Sequence, residues 1–139
     1  PFAAVQLRTG DRPGAGADAR TAHLVSFLKP RLEKLGLPVY VAYDLDASFD
    51  AFAAFLRASC DGCGAVFGRR QLPKYAGLVD AYGRELADVV LDLAFAARAA
   101  SLFLSDDAPH AFRQRGTFGR LMKRYHMRQR DANFSTHYK

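Results

Sequence analysis

The chain is expected to fold as a three-layer α/β domain, with helices on both faces of a parallel sheet of about four strands. Three observations predict this. Short apolar runs recur at residues 2–7, 38–43, 65–67 and 101–104, most of them ending on a polar edge. Between them lie stretches that carry apolar residues at helical spacing. At 139 residues, half hydrophobic and about a quarter charged, the chain has the size and composition of one globular domain. Strands alternating with helices imply a parallel sheet joined by right-handed crossovers. The domain is expected over 1–130, with a frayed tail over 131–139.

The first strand, Phe2 to Leu7, breaks on Arg8-Thr9-Gly10-Asp11 and a loop of Gly, Pro and Asp. A helix is expected from about Ala19 or Thr21, with Leu24, Leu28, Leu32 and Leu35 on one face. Gly36 and Pro38 end it, and Pro30 inside it predicts a kink or a break. The second strand, Pro38 to Tyr43, stops at Asp44, and Ser48 is expected to cap a helix carrying Phe49, Phe52, Phe55 and Leu56. A Cys-Gly turn leads into the short strand Ala65-Val66-Phe67 and a basic loop with Arg69, Arg70 and Pro73. The longest helix is expected from about Gly77 to Ala99, with Leu78, Tyr82, Leu86, Val89, Leu93 and Ala97 on one face. The fourth strand is Ser101 to Leu104, and the last helix begins near Phe118.

Composition excludes several classes. No apolar run approaches the roughly 20 residues of a membrane-spanning helix. His23, His110, His126 and His137 show no metal-ligand spacing, and no G-x-S-x-G elbow or P-loop lysine motif occurs. Cys60 and Cys63 form a single C-x-x-C without the second pair a zinc site needs, so they read as a local disulfide or as two thiols. Asn133-Phe134-Ser135 is an N-glycosylation triplet that matters only on the secretory route. The chain opens on Pro1 with no signal-peptide pattern. Four strands are few for a free-standing doubly wound domain, so the chain is expected to be part of a larger enzyme.

In an open parallel sheet, ligands sit beyond the carboxyl ends of the strands. Arg8, with Thr9 and Gly10, stands at that edge and suits a phosphate, gripped by a bidentate guanidinium and loop N–H groups. It also suits an ion pair with Asp11 or Asp44. Gly14-Ala15-Gly16-Ala17-Asp18-Ala19 has the outline of a dinucleotide loop. It comes five residues too late after the strand, which favours a surface loop. Asp44 ends the second strand, to accept from a hydroxyl or base or to cap the next turn. Asp92 lies among apolar residues, where it needs a ligand or a partner such as Arg98.

From Ala108 to Arg130 the chain has no acidic residue and seven arginines and lysines. Such a stretch reads as a solvated helix face or as a contact for phosphate, nucleic acid or an acidic partner.

Taken in order, these segments resemble the C-terminal, donor-binding half of GDP-fucose-dependent fucosyltransferases of the glycosyltransferase-B architecture, which includes the protein O-fucosyltransferases and the core and nodulation α-1,6-fucosyltransferases. Val5-Gln6-Leu7-Arg8-Thr9-Gly10-Asp11 resembles their strand written H-x-R, with Gln6 in place of His. Val39 to Asp44 resembles their v-f-v-A-T-D strand, with Tyr43 in place of Thr. Glu85 to Asp92, running on to Leu104, resembles the helix and strand before their Ser-Ser/Thr-Phe motif, whose nearest counterpart is Thr117-Phe118.

The resemblance implies a Rossmann-like fold and an inverting, metal-independent transfer of fucose from GDP-fucose to a glycan or protein acceptor. It implies no cofactor beyond the GDP-sugar donor, with Arg8 and N–H groups near Thr117 and Phe118 on the diphosphate. Asp44 and Asp92 would meet sugar or base. The catalytic base would come from an N-terminal half of the same chain, in the Golgi or endoplasmic reticulum, with any membrane anchor outside this sequence. The alternative is a module that binds nucleic acid or an acidic partner through its basic C-terminal helix.

Overall fold

The computed structural model describes residues 1–7, 17–104 and 117–137, with side chains over 1–7, 21–104 and 118–130. The elements are β1 (Ala3–Leu7), α1 (Ala17–Leu35), β2 (Val39–Tyr43), α2 (Asp46–Ser59) and β3 (Val66–Phe67). After a 3-10 turn at Arg69–Gln71 come α3 (Tyr75–Tyr82), α4 (Arg84–Arg98), β4 (Ser101–Leu104) and α5 (Thr117–His137).

The four strands pair in parallel in the order β3-β2-β1-β4. Ala3 stands level with Val39 on one side and Ser101 on the other. The expected α/β fold is the one observed, consistent with a Rossmann-like three-layer arrangement. Every residue of β1 and β2 is buried, as for central parallel strands covered on both faces. Alternate residues point to opposite faces. Val39, Val41 and Tyr43 join Leu24, Leu28 and Leu32 of α1 and Phe52 and Leu56 of α2 in one core. Tyr40 and Ala42 face the other way, against Ala96 of α4 and Met122 of α5.

Several local expectations need correction. The helix expected over Gly77 to Ala99 is two helices, broken at Gly83, whose φ of 84° lies in the region that favours glycine. Its expected apolar face is also only partly inward. Tyr82, Leu86 and Val89 are exposed, whereas Ala87, Asp92 and Ala96 are buried. Helix α1 runs through Pro30 as one element. The lost hydrogen bond there is outweighed by burial of Leu28 and Leu32 on either side, both fully covered. Ser48 is not the cap of α2; the helix begins at Asp46, and the Ser48 N–H donates to Leu45 O at 3.1 Å. The segment expected to fray from Asp131 continues α5 to His137. Cys60 and Cys63 form a disulfide.

Candidate functional site

Strands β1, β2 and β3 step outward in one direction, and β4 returns to the far side of β1. Such a reversal of strand order opens a crevice at the carboxyl ends of the strands. A cavity of about 510 Å³ lies there, lined by Gln6 and Leu7 of β1, Ala42 and Tyr43 of β2 and the following Asp44. Glu85, Asp88, Val89 and Asp92 of α4, Phe118 of α5 and Arg69 complete the lining.

Its floor is a buried polar network. The Tyr40 hydroxyl donates to Asp92 Oδ1 at 2.8 Å, and Arg69 Nη1 donates to Asp92 Oδ2 at 3.0 Å and to the Tyr43 carbonyl at 2.7 Å. Arg69 Nε stands 2.8 Å from Asp88 Oδ1 in an ion pair without hydrogen-bond geometry, and that oxygen accepts from the Tyr75 hydroxyl at 2.7 Å. The guanidinium lies 3.8 Å above the Tyr43 ring. Arg69 is thus clamped by two carboxylates, a carbonyl and an aromatic face. Gly68 allows this approach: a Cβ there would stand 3.0 Å from the rings of Phe49 and Tyr43.

Burial pushes the Asp92 carboxyl up to about 7, against the opposing pull of Arg69 and the Tyr40 hydroxyl. Burial and the neighbouring Asp92 both push the Tyr40 hydroxyl up. For Arg69, burial works to lower the value, and Asp92 and Asp88 more than offset it, so the guanidinium stays charged.

The crevice gathers three of the residues expected from sequence: Asp44, Asp92 and Phe118. Asp44 is exposed, and its Oδ1 accepts the Leu45 N–H at 3.0 Å, while α2 itself begins without a side-chain cap. Asp92 is held by Tyr40 and Arg69 rather than by Arg98. Phe118 lines the cavity and packs against the Tyr40 and Ala42 side of the core. Thr117 opens α5, with its side chain outside the described set. Arg8, Thr9 and Gly10 lie outside the described residues, as do Gly14, Ala15 and Gly16 of the glycine loop.

No family model, curated protein or solved structure matches the chain.

Arg69 lies in a basic loop and is not among the site residues expected from sequence. The signal was its place in the sequence: Arg69 comes two residues after the third strand, Val66–Phe67, where a parallel strand ends on the ligand-binding edge. Among the described lining residues, four carboxylates face one already paired guanidinium. That set accepts hydrogen bonds from hydroxyl or N–H groups. Leu7, Ala42, Val89 and Phe118 supply apolar walls for a ring. Among the described residues no group of His, Cys, Asp and Glu is arranged to hold a metal, and no helix is long and apolar enough to cross a membrane.

Proposed function

We infer that this domain binds a nucleotide sugar and is the donor-binding part of a glycosyltransferase, with GDP-fucose as the donor that the sequence resemblance favours. The observation that carries the reading is the crevice at the carboxyl ends of β1 and β2, beside the reversal of strand order. Asp44 at the end of β2 suits the hydroxyls of a ribose or sugar, and Phe118 and Val89 suit a flat or puckered ring. Arg8 is the residue after Leu7, which lines the cavity, and is assigned to the diphosphate. Arginine and backbone N–H groups would stabilise the departing nucleoside diphosphate as its charge develops. Asp92 supports this site by fixing Arg69 and Tyr40.

Thermal unfolding with GDP, UDP, ADP and NAD tests the reading. At about a hundredfold excess over the dissociation constant, a bound ligand stabilises by about 2.7 kcal/mol. For a chain of 139 residues this raises the melting temperature by roughly 9 °C. GDP is expected to give that shift, with Arg8→Ala and Asp44→Ala each removing most of it. A shift with NAD alone would reassign the crevice to a dinucleotide, and no shift with any of the four would refute the proposal.

A further inference from the structure

We propose that the outer edge of β4, together with one face of α5, is a docking groove for an extended acidic segment of a partner protein, which adds to the sheet as a strand beside β4. The proposal is independent of the nucleotide reading, because the groove is separate from the crevice.

Among the described residues, β4 is paired on one side only, with β1. Alternate residues of a parallel strand turn their N–H and C=O groups to opposite sides, so part of the β4 backbone faces away from β1. An edge left unpaired among the described residues is a template for another strand. All four residues of β4 line a cavity of about 300 Å³ whose opposite wall is α5.

The α5 wall sets the chemistry of the occupant. Lys123, Met127 and Arg130 recur at helical spacing and are exposed, while His126 between them is buried and bonded through Nδ1 to the Ala96 carbonyl at 2.9 Å. The two cations lie about 10 Å apart along the helix axis. Successive residues on one face of a strand are spaced roughly 7 Å apart, within reach of both long side chains. The α5 sequence carries one acidic residue, Asp131, against seven arginines and lysines from Ala108 to Arg130, so the helix is strongly cationic. Met127, 48% exposed, offers an apolar contact between them. The groove thus fits a strand whose alternate side chains are carboxylates turned towards α5, their methylene stems passing over Met127.

The test is fluorescence anisotropy with a labelled octapeptide of alternating glutamate and valine, with amide shifts of the protein followed by NMR. Binding is expected, with the largest shifts at Ser101 to Leu104. The double variant Lys123→Glu/Arg130→Glu changes only exposed side chains and is expected to weaken binding at least about tenfold. N-methylation of alternate peptide nitrogens removes the ladder donors and is expected to abolish it. A lysine–valine octapeptide is expected not to bind. No binding of the acidic peptide would overturn the proposal. So would equal binding of its N-methylated form, or a preference for duplex DNA that the same double variant removes.

Discussion

Replacing Asp92 by alanine probes the buried network under the crevice. The carboxyl is 6% exposed and the Arg69 side chain 3% exposed, so neither has much water to fall back on. Breaking a buried ion pair by removing one partner costs about 3–5 kcal/mol. Here Arg69 keeps Asp88 and the Tyr43 carbonyl, which favours the lower end. The Tyr40 hydroxyl loses its acceptor, and a buried unpaired hydroxyl costs about 1–3 kcal/mol. Together these give a loss of about 4 kcal/mol. Unfolding entropy near 2.1 cal/mol/K per residue converts that into roughly 14 °C for a chain of this length. The assay is urea and thermal unfolding by circular dichroism. Tyr40→Phe keeps the ring stacked on Phe95 at 4.1 Å and is expected to cost about 1–2 kcal/mol. The double variant should cost clearly less than the two single losses together, since both remove one hydrogen bond. A loss below about 0.5 kcal/mol for Asp92→Ala, or strict additivity, would refute the reasoning.

Three further outcomes are expected. Asp92 is raised from the ordinary carboxyl range to about 7 in the fold, so the folded state holds its proton more tightly than the unfolded chain. The stabilisation linked to that proton is therefore fully present at or below the unfolded value, about 4, and is lost as pH rises through about 7. Asp92→Asn should flatten that part of the stability–pH curve, and an unchanged slope would count against it. Replacing Cys60 and Cys63 together by serine opens a disulfide spanning a sequence separation of 3, and chain entropy assigns it about 2 kcal/mol in urea unfolding. A variant as stable as the parent would contradict this. Gly83→Ala forces a side chain into φ 84°, ψ 157° and should cost about 1–3 kcal/mol, although nothing lies within 4 Å of the new Cβ. Gly77→Ala, equally open but inside α3, should be stabilising by up to about 1 kcal/mol, and equal effects at the two positions would reject the backbone argument.

The strands were legible because β1 and β2 are buried on both faces and so appear as short unbroken apolar runs. The crevice was legible for the same reason: Asp44 is the first polar residue after such a run. Helix breaks were harder. Gly83 interrupts a pattern that continues at helical spacing on both sides, and periodicity does not register one residue with positive φ. Pro30 does not end α1, because its cost of about 3 kcal/mol is offset by the burial of Leu28 and Leu32 on either side. The Asp92 environment was read as needing a partner, which it has. The partner is separated from it by 23 positions along the chain, and only the fold brings Arg69 there. Apolar spacing alone placed Leu86 and Val89 inward, whereas α4 turns Asp92 and the small residues Ala87 and Ala96 to the sheet.

The most direct test of the central claim is an NMR titration of the uniformly labelled protein with GDP. The account predicts that the largest amide shifts cluster at Gln6, Leu7, Tyr43, Asp44 and Phe118 around the crevice, and that Asp44→Ala weakens the binding. Shifts confined to other surfaces, or no shifts at millimolar GDP, would contradict it.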